Sequence, residues 1–60
     1  MPLEALLAEA EQLHNVSNRL EALAEQHPPV SDALLTISGN VRNTATVLEV
    51  LIVTKMTKPI

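Results

Sequence analysis

Residues 25–32, with the sequence EQHPPVSD, divide the chain into two halves. Proline lacks the backbone N–H that a helix interior requires, and it disfavours helical backbone angles at the residue before it, here His27. A helix that arrives from the amino-terminal side must therefore end near Gln26. Beyond the prolines, Ser31 is typical of a helix start, because its hydroxyl can accept hydrogen bonds from the first free amides. The segment predicts a turn at 27–30 between two helices.

The amino-terminal half is predicted to form one helix over residues 2–26. Ala, Leu, Glu and Gln dominate it, and Pro2 suits the first helical position. Its apolar residues recur at alternating steps of three and four, which places them on one face of a helix. Every second residue of that row is small, so we expect the neighbouring helix to insert large side chains there. The row consists of Leu3, Leu6, Ala10, Leu13, Ser17, Leu20 and Ala24.

The carboxy-terminal half is predicted to form a second helix over residues 31–56. Gly39-Asn40 is a common turn signal, and the β-branched residues that follow it prefer strands. The apolar spacing nevertheless passes through Gly39 without a change of phase, and a lone strand would have no sheet to join. We therefore predict one continuous helix, followed by a frayed tail at 57–60. Its predicted contact row is Val30, Leu34, Ile37, Val41, Thr44, Leu48 and Leu51.

Folding back at the prolines makes the two helices antiparallel. Residues whose numbers sum to about 57 or 58 should then share a layer. This register would place Ser17 opposite Val41 and Ala10 opposite Leu48, so that a large side chain meets a small one. The predicted fold class is all-α, an antiparallel two-helix hairpin that forms a single domain over residues 1–60.

A pair of helices leaves apolar side chains uncovered, because two elements in contact cannot enclose a core. The surplus outside the two predicted rows consists of Leu7, Val16, Leu23, Val47, Val50, Ile52 and Val53. A second copy would cover it in a four-helix bundle, and twofold dimers are the commonest assemblies. We therefore predict a homodimer. Its predicted interface comprises Leu6, Leu7, Leu13, Val16, Leu20, Leu23, Ile37, Val41, Val47, Leu48, Val50, Leu51 and Ile52.

The composition limits the classes of function. The chain has no Cys and no aromatic residue, so neither a disulfide framework, nor a thiolate zinc site, nor stacking on nucleobases is available. Four basic residues and a net charge of −3 disfavour nucleic-acid binding. The most apolar stretch, residues 44–56, is shorter than the ~20 residues that a spanning helix needs. With no secretory signal recognisable, we expect a cytoplasmic protein without a cofactor, metal or membrane span.

His14 and His27 are the only side chains that titrate near neutral pH, so acid–base or phosphoryl-carrier chemistry would fall to them. A metal pair on a helix needs ligands three or four residues apart, and these two are too far apart in sequence for that. The segment 14–20, HNVSNRL, resembles the H-box of dimeric histidine-kinase phosphoacceptor hairpins, in which a polar residue follows the histidine by four positions and a Leu by six. Asn15 stands where that family usually has an acidic residue. The resemblance implies a phosphoacceptor role for His14.

Polar residues also occur at mid-height on both helices. They are Asn15, Asn18, Arg19, Asn40, Arg42 and Asn43. They would form either a hydrogen-bonding patch for a partner or, as we prefer, a solvated face with a few contacts that fix the helix register. We expect no catalytic site and predict a non-enzymatic, coiled-coil-like homo-oligomer that acts through protein–protein interaction, as an adaptor or regulator. The alternatives are phosphotransfer through His14 and a helix-in-groove partner that folds on another protein.

Overall fold

Two long α-helices folded back on each other make up the structure, a computed structural model that describes residues 3–56. Helix α1 covers Leu3–Gln26, a single 3-10 turn covers Pro28–Val30, and helix α2 covers Ser31–Met56. The prediction of an all-α two-helix hairpin is confirmed, and α2 runs through Gly39 as one helix. The predicted helical position of Pro2 and the predicted frayed tail lie outside the described residues.

The turn between the helices is built by the two prolines. His27 leaves the helical region, with φ −132° and ψ 71°, and its carbonyl accepts a hydrogen bond of 3.0 Å from the N–H of Val30. Ser31 already has helical backbone angles, and its N–H donates to the carbonyl of Pro28. Ser31 is therefore not the N-cap that the sequence predicted. The fixed φ of proline favours a helical turn from Pro28 onward, so the 3-10 turn continues directly into α2.

The contact between the helices is filled by small residues. Ser17 and Ser38 are fully buried at its centre, with Ala10, Ala45 and Ala24 buried in the neighbouring layers. The Ser17 hydroxyl lies 3.1 Å from the carbonyl oxygen of Ser38, and the Ser38 hydroxyl donates to the carbonyl of Ser17 at 2.9 Å. The two hydroxyl oxygens are 2.8 Å apart. Such reciprocal contacts require the two backbones to approach closely, which only small side chains allow.

This serine pair sets the register, and it corrects the predicted contact row of α2. The residue numbers of the pair sum to 55, not to 57 or 58. The buried or half-buried residues of α2 at helical spacing are Ser31, Leu34, Ser38, Val41, Ala45, Leu48 and Ile52. Four predicted members are instead exposed, namely Val30, Ile37, Thr44 and Leu51. Ile52, which the sequence assigned to the uncovered surplus, is only 4% exposed.

The physical reason for this error is the spacing between the helices. We expected large side chains opposite the small residues of α1, but small residues lie opposite small residues. If the contact row of α2 is predicted from hydrophobicity alone, Val30, Ile37 and Leu51 are preferred to the residues that follow each of them in the sequence. A close helix approach selects the smaller residues instead, one position further along the chain.

Three threonine hydroxyls of α2 form hydrogen bonds within the helix itself. Thr44 donates to the carbonyl of Asn40 at 2.9 Å, four residues back. Thr36 and Thr46 make the same bond, at 3.0 and 3.1 Å. This back-bonding removes the need for a partner for these hydroxyls.

Candidate interaction surface

The hairpin has two broad faces, one on each side of the plane that contains both helices. Successive residues of a helix are separated by about 100°, so residues four positions after the small core residues lie about 40° to one side of them, and residues one position before them lie about 100° to the other side. The first set contains what we call the polar face, His14, Glu21, Arg42 and Glu49, together with Leu35. The second set contains what we call the apolar face, Val16, Leu23, Val30, Ile37 and Leu51, together with Glu9 and Thr44.

The polar face carries contacts between the helices. The Arg42 guanidinium donates to the Glu21 carboxylate at 2.6 Å and to the Asn18 side-chain oxygen at 3.4 Å. His14 Nε2 lies 3.2 Å from Glu49 Oε1. These side chains are about 34–44% exposed, so each pair contributes modestly to stability. The pairs cover the helix contact on this side and help to fix its register.

The predicted polar belt does not form one continuous patch. The structure brings Asn18 and Arg42 together on the polar face. Asn40 and Arg19 are exposed, and their helical positions place them beside the apolar face instead. The preferred interpretation, a solvated face with register-fixing contacts, therefore applies to part of the belt.

The apolar face consists of large aliphatic side chains that the hairpin leaves between 37% and 49% exposed. It extends along both helices from the turn toward the opposite end. Other exposed aliphatic residues lie elsewhere: Leu7 and Leu35 at positions equivalent to the polar face, and Val47, Val50 and Val53 further around α2. Scattered single apolar residues are normal on a protein surface, but several on one face suggest a surface with a binding role.

The predicted interface residues divide into three groups. Val16, Leu23, Ile37 and Leu51 lie together on the apolar face, and Leu7, Val47 and Val50 are exposed outside it. Leu6, Leu13, Leu20, Val41 and Leu48 are half-buried in the contact between α1 and α2, and Ile52 is buried there. The sequence reasoning missed Leu35 as an exposed apolar residue, and it placed Val30 inside the hairpin.

Charge is distributed unequally between the two faces. Helical positions place every carboxylate except Glu9 on the polar face or in the row immediately outside it; the outer row contains Glu4, Glu11, Glu25 and Asp32. On the side of the apolar face, the charged residues within 3–56 are Glu9 and Arg19. The two broad faces therefore differ in polarity as well as in the contacts they make.

The part of the chain that the structure describes holds no group of three or more potential metal ligands. The surface of residues 3–56 includes shallow concavities of about 260 and 300 Å³. The first is lined by Thr46, Glu49, Val50, Val53 and Thr54, and the second by Leu3, Glu4, Leu7 and Ile52. Each contains one carboxylate and no second ionisable side chain. The concavities therefore bring together no acid–base pair.

No protein-family model, curated protein or solved structure matches this chain. Across residues 3–56, neither helix has the length and apolar character needed to cross a membrane.

Proposed function

We propose that the protein is a homodimeric interaction module, of adaptor or regulatory type, in which two hairpins pack apolar face against apolar face in a four-helix bundle. The observation that carries this proposal is the contrast between the two broad faces. One holds the interhelical polar pairs and is flanked by a row of carboxylates, whereas the other holds five half-exposed aliphatic side chains. Stacking through the apolar face keeps the like charges of two acidic copies on the outside.

The free energy available from this contact lies in the aliphatic side chains that the hairpin leaves half-exposed. Complete burial of a Val, Leu or Ile side chain contributes about 1.5–3 kcal/mol, so a half-exposed one retains about 1 kcal/mol. A charge introduced into this face removes that contribution and adds the cost of a buried, unpaired carboxylate, so it is expected to prevent dimerisation.

Two residues of equal exposure provide a matched test of the face. Ile37 on the apolar face and Leu35 on the opposite side are both 48% exposed. We expect the Ile37→Glu protein to lose its dimer, measured by analytical ultracentrifugation at micromolar concentration, because the new carboxylate would be buried without a partner. Leu35→Glu should remain dimeric. Leu23→Glu and Leu7→Glu form a second matched pair on α1, with residues that are 42% and 44% exposed.

Circular dichroism separates this proposal from coupled folding on another protein. If Ile37→Glu loses both its helix content and its dimer while Leu35→Glu keeps both, the hairpin depends on its second copy, which agrees with the proposal. A wild-type chain that is disordered alone would favour a helix-in-groove partner instead. A folded wild-type monomer, or a dimer that tolerates Ile37→Glu, contradicts the proposal.

Phosphotransfer through His14 has weaker support. The Glu49 carboxylate lies 3.2 Å from Nε2 of His14, so it would repel a negatively charged phosphoryl group on that nitrogen. The hypothesis predicts acid-labile phosphorylation by a small phosphodonor. Equal labelling of a His14→Gln protein would exclude it.

A further inference from the structure

The exposed row of α2 that includes part of the apolar face is nearly symmetric about Asn40. It consists of Val30, the last residue of the 3-10 turn, and of Ala33, Ile37, Asn40, Thr44, Val47 and Leu51 in α2; all are exposed and uncharged. The steps of three and four are those of a helix contact row. When the row is paired antiparallel with itself, Val30 meets Leu51 and Ile37 meets Thr44. The row is therefore self-complementary, with a polar amide at its centre.

Helix α1 has a second pattern with the same centre. Glu9 and Arg19 are the charged residues of α1 on the side of the apolar face, and neither has an ion-pair partner within residues 3–56. Residue 14 is the midpoint between them. In the register fixed by Ser17 and Ser38, residue 14 of α1 lies at the level of residue 41 of α2. Two patterns on different helices thus point to one level of the hairpin.

We propose that the twofold axis of the dimer lies between the two stacked hairpins and crosses the helices at a right angle at this level. Helix α2 of one copy then packs antiparallel on α2 of the other, and α1 packs antiparallel on α1. Glu9 of each copy then pairs with Arg19 of the other, and the two Asn40 side chains meet at the axis. An amide can both donate and accept a hydrogen bond, so two Asn40 side chains can satisfy each other. This inference rests on the proposed function, since it specifies the geometry of that dimer.

The other twofold arrangement is less favourable. An axis parallel to the helices would pack α1 of one copy on α2 of the other. Glu9 and Arg19 would then lie against the uncharged row of α2, where each would lose water without gaining a partner of opposite charge. The perpendicular axis avoids this cost because it brings the two charges together.

Charge reversal tests the proposed pairing. Glu9→Arg leaves two positive side chains facing each other across the axis, and Arg19→Glu leaves two negative ones. At low salt, each variant should dimerise about tenfold or more weakly than wild type, measured as the dissociation constant in sedimentation equilibrium, and the deficit should shrink at high salt. An equimolar mixture of the two variants should recover near-wild-type affinity, because each heterodimer contains two Glu–Arg pairs. The mixture also has the same total charge as wild type.

The control for net charge is Glu11→Arg, which makes the same change as Glu9→Arg on the opposite side and should leave the dimer unaffected. If wild type dimerises but the mixture is no tighter than the single variants, or if Glu9→Arg behaves like Glu11→Arg, the proposed axis is wrong and the dimer stands. A wild-type monomer overturns both proposals.

Cysteine cross-linking tests the axis independently of charge, because the chain has no native Cys. Asn40→Cys should form a disulfide-linked dimer on mild oxidation, since a disulfide requires Cα atoms about 4.4–6.8 Å apart. Asn43→Cys starts from the same residue type, also exposed, but faces outward and should not cross-link efficiently. Equal cross-linking of the two variants, or none at residue 40 in a persistent dimer, contradicts the arrangement.

Discussion

The reciprocal hydrogen bonds between Ser17 and Ser38 are expected to contribute measurably to the free energy of unfolding. We expect the effects of replacing the two serines to be non-additive. Each hydroxyl lies within hydrogen-bond distance of the opposite carbonyl, at 3.1 and 2.9 Å, and the two hydroxyl oxygens are 2.8 Å apart. Ser17→Ala removes one donor but leaves the Ser38 hydroxyl bonded to the backbone of residue 17. Because no buried donor is left unsatisfied, the cost should be that of one hydrogen bond, about 1 kcal/mol. The same holds for Ser38→Ala.

The double variant is the decisive measurement. Ser17→Ala/Ser38→Ala gives the central layer the composition of the Ala10–Ala45 layer and removes both desolvated hydroxyls. It should therefore cost less than the sum of the single variants, with a coupling of about 0.5 kcal/mol or more. Urea unfolding followed by circular dichroism at one protein concentration gives all four free energies of unfolding. Strictly additive costs, or a serine that can be replaced without loss, would refute the reasoning.

Two further substitutions test the packing of α2. Gly39→Ala should stabilise the protein by about 1 kcal/mol in thermal or urea unfolding. The reason is that α2 is helical at Gly39 and an added Cβ would meet nothing within 4 Å. Destabilisation would mean that another chain packs against this position. Ile52→Ala should lower the free energy of unfolding in urea by about 2 kcal/mol or more, since Ile52 is buried against α1. Val50→Ala, at a position that is 59% exposed, should lower it by less than about 1 kcal/mol. Similar costs for the two would contradict the corrected contact row.

The hairpin itself could be predicted from the sequence because its signals are local. Pro28-Pro29 ends one helix and starts the next, and the steps of three and four on each side are independent of the partner. The contact row of α1 was predicted for the same reason, since its small residues alternate with leucines. Three of the seven residues of the α2 row, Leu34, Val41 and Leu48, were also identified.

Hydrophobicity could not predict which row of α2 faces α1, because two adjacent rows compete for that place. One row is more apolar, and the other consists of smaller residues. Val30, Ile37 and Leu51 are more apolar, whereas Ser31, Ser38 and Ala45 are smaller. Hydrophobic periodicity ranks the first row higher, but the distance between the helix axes decides which row fits. A usable signal was present: Ser31, Ser38 and Ala45 repeat every seven residues, as Ala10, Ser17 and Ala24 do on α1.

The close approach of the helices also explains why the apolar face exists. The short turn at Pro28–Val30 and the serine contacts hold the backbones near each other, so the interior of the hairpin admits mainly Ala and Ser at its closest layers. Large aliphatic side chains one position away are thereby excluded from the contact and remain half-exposed. A hairpin with a wider spacing could bury Ile37 against α1 and would have less apolar surface to cover. The tight packing within one copy is therefore what leaves the apolar surface that we propose a second copy covers.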